Sequence, residues 1–114
     1  MSIERYELDC PCCGLNKTTD ELINKLKIAR IIANTPFVVT SGTRCEKHNA
    51  EVGGSPTSSH KDGTACDIAV KSDTARWNIV RGLLAAGFKR ILLYKNFVHV
   101  DVDNNKLQPI IKIM

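Results

Sequence analysis

Apolar residues recur at helical spacing through Leu22, Leu26, Ala29 and Ala33, directly after a T-x-x-E run at Thr18 to Glu21. That pattern predicts a helix over about residues 19–33, opened by a capping box and stopped near Asn34, ahead of Pro36. The β-branched stretch 37–40 (FVVT) reads as a short buried strand. Residues 41–60 are rich in Gly, Ser, Asn and Thr, so they read as loop with one helical turn around 46–50. A strand is predicted over 64–70 and a second helix over 73–86, with Asp73 as N-cap, Val80, Leu83 and Leu84 inward, and Gly87 as the stop. Residues 91–94 and 97–102 form a hairpin joined by Lys95-Asn96, and 110–113 a last strand placed at an edge by Pro109. This order predicts an α+β fold, a small antiparallel sheet packed with two main helices.

Alternation within the strands separates core from chemistry. Val98, Val100 and Val102 share one face of their strand, which leaves His99 and Asp101 together on the other. In the earlier strand, Asp67 shares its face with Ala65 and Ala69, while Cys66, Ile68 and Val70 point the opposite way. Small alanines beside a carboxylate leave room for something bulky against it. His60 precedes that strand by a turn that Gly63 can shape, so His60 and Asp67 can converge, with His99 arriving from a neighbouring strand. Two imidazoles and a carboxylate with an open fourth position make a catalytic zinc site. Taken singly, each residue is more often a polar group facing water; the combination carries the reading.

Composition narrows the alternatives. At 114 residues the chain has one domain's length, with a cysteine-containing segment over 1–17. Its 43% hydrophobic and 25% charged residues argue against long disordered tracts. The net charge of +4 is spread over scattered Lys and Arg, and the 5% aromatic residues do not interleave with a basic run, so no nucleic-acid partner is expected. Nor is a membrane partner, because no apolar run approaches the ~18 residues of a span. The N-terminus lacks the pattern of a signal peptide, so synthesis in the cytoplasm is expected. Five cysteines are an odd number for a disulfide framework. The CPCCG cluster at Cys10, Cys12 and Cys13 lacks a second C-x-x-C half, with Cys45 its only recruit in range, so reduced thiols or one occasional disulfide are expected rather than a structural metal.

The stretch SSHKDGTACD, residues 58–67, fits the S-x-H-x-x-G-x-A-x-D signature through Ser58, His60, Gly63, Ala65 and Asp67. With FVHVDV at 97–102 and SGTRCEKHNAEVGG at 41–54, the chain resembles, from about Leu22 to Val102, the zinc peptidases that include D-alanyl-D-alanine carboxypeptidases and phage L-alanyl-D-glutamate endolysins, of the hedgehog/DD-peptidase fold. The resemblance implies that His60, Asp67 and His99 bind Zn2+, that Arg44 binds a carboxylate of the substrate, and that Ser58 orients the substrate or polarises its carbonyl. The implied substrate is a peptidoglycan stem peptide. The implied enzyme is a monomer acting on the cell wall after release or within a phage particle.

One position departs from the family. Many members carry Glu, Asp or His three residues before the last zinc histidine as general base, and here Asn96 stands there, which cannot take a proton. Asp101, on the face of His99, is the replacement expected from the strand pattern. Its other reading is a partner that holds His99 in its metal-binding tautomer. The departure also motivates a rival to the enzyme: a metal-binding module of the same fold that has lost catalysis.

Overall fold

Thr19, not Thr18, caps the first long helix. In the computed structural model, which describes residues 2–114, α1 spans Asp20–Ala33, and the Thr19 hydroxyl accepts from the Leu22 N–H at 3.2 Å. The expected box starting at Thr18 does not form, because that residue is held elsewhere: its N–H donates to Asn16 Oδ1 at 2.9 Å and its carbonyl accepts from Arg5. The chain enters the helix one residue later. It leaves as expected, through Asn34 in the left-handed region (φ 49°), two residues before Pro36.

The short α2 spans Glu46–Glu51, the one helical turn expected in the long polar segment. The second main helix, α3, spans Asp73–Ala85. Its cap is Ser72, whose hydroxyl accepts from the Ala75 N–H at 3.0 Å; Asp73 instead occupies the first turn, where a carboxylate suits the positive end of the helix. The buried stripe is Ile79, Gly82 and Leu83, and Leu84 faces out at 48% exposure, against the inward position expected for it. The reason is the contact with α1. A Cβ at Gly82 would press on the Ala29 carbonyl and the Ala33 methyl, so the two helices meet backbone to backbone along that stripe and turn Leu84 to solvent.

Five strands, β1 (Val39–Ser41), β2 (Ala65–Ala69), β3 (Arg90–Leu93), β4 (Phe97–Asp101) and β5 (Ile110–Ile113), lie in the order β1-β2-β4-β3-β5. The first four pair antiparallel; β5 runs parallel to β3 at the edge, which makes the sheet mixed within the expected α+β class. β1 starts two residues later than predicted because Phe37 is drawn into the core (6% exposed) instead of the ladder. Leu22, Leu26, Ile79 and Leu83 pack on Cys66, Ile68, Ile91, Val98 and Val100. Val98 and Val100 are fully buried, each stabilising the fold by roughly 1.5–3 kcal/mol. With one face of the sheet sealed by helices, the alternate residues of β2 and β4 are carried to the other face. In register there, Asp67 lies opposite His99, and Ala65 opposite Asp101.

Candidate metal centre

The turn before β2 is fixed from both ends. The Ser58 hydroxyl accepts from the His60 N–H at 3.2 Å and opens a 3-10 turn over Ser59–Asp62; Gly63 closes it at φ 74°. Only glycine is at ease there, since a side chain would carry left-handed strain and its Cβ would overlap the Lys17 carbonyl. Below the turn, the buried Ser59 hydroxyl donates to Asp103 Oδ2 at 2.7 Å. His60 is thereby set over the sheet, 3% exposed, facing Asp67.

The two imidazoles are each tied at one nitrogen. His60 Nδ1 lies 2.8 Å from the Gly42 carbonyl, and His99 Nε2 lies 2.7 Å from Asp101 Oδ2. A ring proton donated to each of these acceptors leaves His60 Nε2 and His99 Nδ1 free to present lone pairs to a metal. Both of these point at Asp67 Oδ1, at 3.3 and 3.0 Å. One ligand atom from each of the three residues lies within 4.8 Å of the others. Two lone pairs aimed at a carboxylate repel it unless a cation sits among them or a ring takes a second proton. The donor set of two imidazole nitrogens and one carboxylate oxygen fits zinc, with an open position toward the cleft.

Electrostatics follow the same contacts. With no metal bound, burial raises the Asp67 pKa, but protons on the facing His60 and His99 nitrogens, hydrogen-bonded to the carboxyl, outweigh it and hold it at about 2. Burial lowers that of His99, and the hydrogen bonds to Asp101 and Asp67 more than reverse it, so its pKa lies above the usual imidazole value. Asp101 is pushed up by burial and brought below its ordinary value by His99, the Asp103 N–H and the Arg90 charge.

The site forms the floor of a cleft of about 300 Å³ that Arg44, Ser58, Tyr94 and Lys106 also line. Arg44 reaches in with its Nε on Ser41 Oγ at 3.1 Å, Nη1 on Asn49 Oδ1 at 3.4 Å and Nη2 at 3.7 Å from Asp67 Oδ2. Asp101 is brought to His99 but not to the cleft. It is 2% exposed, with Oδ2 shared between His99 and Arg90 Nε (3.0 Å) and Oδ1 accepting from the Asp103 N–H. Asn96 is exposed, with its carbonyl accepting from the Val70 N–H, and it does not line the cleft. Among the described residues, Asp67 is the only carboxylate that does.

Sequence reasoning missed the groups that hold these side chains. Ser41 and the buried Asn49 brace Arg44, the Gly42 carbonyl orients His60, and Arg90 neutralises Asp101. Only Arg90 left a signal: in the hairpin, Ile91 pairs with Val100, which sets the preceding Arg90 beside Asp101. A family model described as Peptidase M15 matches residues 3–101, a span that includes all three candidate ligands, Arg44 and Ser58. No curated protein matches.

Proposed function

The chain belongs to the peptidase M15 family, zinc peptidases of the D-alanyl-D-alanine carboxypeptidase type, and on that premise we propose that it hydrolyses an amide bond in peptidoglycan stem peptides with zinc held by His60, Asp67 and His99. The observation that carries this reading is the convergence of His60 Nε2 and His99 Nδ1 on Asp67 at the floor of a cleft, with the far nitrogen of each ring already tied to an acceptor. Zinc bound there supplies a Lewis acid for the scissile carbonyl and acidifies a water to a pKa near ~7.

The chain's own residues supply position. The planar Arg44 fork, braced by Ser41 and Asn49, takes a carboxylate of the stem peptide in two parallel hydrogen bonds. Lys106 adds a second positive charge at the cleft wall and favours the same anionic peptides. Ser58 caps its own turn and also lines the cleft, where its hydroxyl meets the substrate's carbonyl. Asp101, with both oxygens engaged behind His99, is read as a positioning residue that fixes the His99 tautomer, not as the group that takes the proton.

A second reading has one observation in its favour. With Asn96 in place of an acid and Asp101 turned away, no carboxylate beyond the Asp67 ligand lines the cleft among the described residues. A chain of this kind would bind stem peptides without cutting them. Incubating the zinc-loaded protein with purified peptidoglycan and analysing the products by mass spectrometry separates the two. New amine termini are expected, and the fragment masses report whether the bond cut is L-Ala-D-Glu or terminal D-Ala-D-Ala. Bound stem peptide with no new amine at any pH would end the enzyme reading and leave the binding module.

A further inference from the structure

Four of the five cysteines, none of which lines the cleft, meet at one point. Cys10, Cys12 and Cys13 come from the N-terminal turn and Cys45 from the start of α2, and their Sγ atoms all lie within 4.8 Å of one another. The turn is built for this. The Cys10 N–H donates to the Leu15 carbonyl at 2.7 Å, and the Gly14 N–H to the Cys10 carbonyl at 2.8 Å, with Gly14 at φ 77°. That closure sets Cys10 and Cys13, at C-x-x-C spacing, side by side, with Cys12 between them reaching across to α2.

Sulfur separations and backbone donors match a metal cage. Cys10 Sγ and Cys12 Sγ are 3.6 Å apart, and Cys12 Sγ and Cys45 Sγ 3.3 Å. Four sulfurs at ~2.3 Å from a tetrahedral zinc stand about 3.8 Å from each other. Two of the sulfurs already receive backbone N–H groups, as thiolates require: Cys45 N–H to Cys10 Sγ at 3.5 Å and His48 N–H to Cys45 Sγ at 3.3 Å. Without a cation the four cannot ionise together. One disulfide would use a pair of these sulfurs and leave the convergence of the other pair unexplained.

We propose that Cys10, Cys12, Cys13 and Cys45 bind a second zinc ion, a structural one, which ties the N-terminal segment to the start of α2. Binding releases the four thiol protons to solvent and leaves an all-thiolate site with no open position. Its mechanical consequence lies next door. Arg44 precedes Cys45, its N–H donates to the His60 carbonyl at 3.0 Å, and the Thr43 N–H donates to the Leu8 carbonyl at 2.8 Å. Clamping Cys45 therefore clamps the backbone from which Arg44 reaches the cleft. The proposal stands whether or not the His60 site cuts peptides.

The test uses the full chain purified under reducing conditions and loaded with zinc or cobalt(II). Wild-type protein should hold two metal equivalents, and its cobalt form should show the intense near-ultraviolet band of thiolate-to-cobalt charge transfer, which imidazole and carboxylate ligands do not give. A His60→Ala/Asp67→Ala double variant should keep one equivalent and the full band; Cys12→Ser and Cys13→Ser should keep one equivalent and lose most of it. Zinc should raise the unfolding midpoint of the double variant. A wild-type cobalt spectrum without the thiolate band overturns the proposal, and needs no substituted protein to fold. So does an intact mass showing a disulfide, if the chain after reduction still takes up no metal in the double variant.

Discussion

Replacing Asp101 with asparagine keeps the side chain's shape and removes its charge at a point where two partners depend on it. The His99 Nε2 contact is 2.7 Å and the Arg90 Nε contact 3.0 Å, with the Asp101 side chain at 0% exposure and that of Arg90 at 15%, so water screens neither. Breaking a buried pair by removing one charge destabilises by ~3–5 kcal/mol, and because an asparagine oxygen in the place of Oδ2 can still accept from His99 and Arg90, with its amide turned toward the Asp103 N–H, we expect the lower end, about 3 kcal/mol. Loss of the carboxylate also frees the His99 ring to change tautomer. Partners of this kind set metal affinity, and their removal weakens it about 10- to 100-fold. Denaturant unfolding of the metal-free protein reads the first quantity, and zinc competition against a chelating dye reads the second. Stem-peptide hydrolysis at saturating zinc reads whether turnover survives. The expected outcome is weaker zinc binding with turnover largely recovered once the site is filled. Unchanged zinc affinity with turnover lost at saturating zinc would refute the positioning role and make Asp101 the proton acceptor.

Arg44→Lys keeps the charge but loses the planar fork, so KM for a stem peptide should rise by roughly ten- to a hundredfold, as for a charged hydrogen bond worth ~1.5–3 kcal/mol, with kcat changed less; an unchanged KM would remove Arg44 from substrate binding. Gly63→Ala forces a side chain into the left-handed region, at ~1–2 kcal/mol before any clash with the Lys17 carbonyl, and should lower both stability and zinc uptake, measured by thermal unfolding and metal analysis. In chelator-treated protein, Asp67 held at about 2 contributes stability that is present above the unfolded carboxyl pKa of ~3.9 and fades as pH falls toward 2. His99, raised above its ordinary value, contributes stability present below ~6.5 that is lost as pH climbs through its folded pKa. Denaturant midpoints across that range should therefore fall at both ends, and a midpoint that keeps rising above neutral pH would contradict the His99 contacts.

The three candidate ligands were legible because period-2 alternation and one glycine turn let them converge, and the resemblance to the zinc peptidases singled them out. Valines at 98 and 100 commit β4 to one orientation, and His99 has nowhere else to point than the face that Asp67 shares across the ladder. What a strand pattern cannot convey is rotamer and register. Asp101 shares the face of His99, as its position says, but Arg90 on the neighbouring strand pulls its carboxylate behind the ring. That pull is invisible until the strands are paired. The caps slid by one residue for local reasons of the same kind: Thr18 is claimed by Asn16 and Arg5, and the Ser72 hydroxyl takes the place expected for Asp73. Backbone groups leave no mark in a sequence at all, so the Gly42 carbonyl that orients His60 could be found only in three dimensions. Cys45 could be named from the sequence as the one recruit for the N-terminal cysteines, but how closely it meets them, across a separation of 33 residues from Cys12, is visible only in the fold.

A zinc ion held by His60 Nε2, the Asp67 carboxylate and His99 Nδ1 is the premise of every catalytic role assigned in the cleft. Anomalous diffraction from crystals of the zinc-loaded protein, collected on both sides of the zinc absorption edge, locates it directly. The predicted result is a peak between those three atoms, with His99 Nε2 still donating to Asp101. No peak in the cleft, or a zinc bound through His99 Nε2 with the Asp101 contact broken, would contradict it.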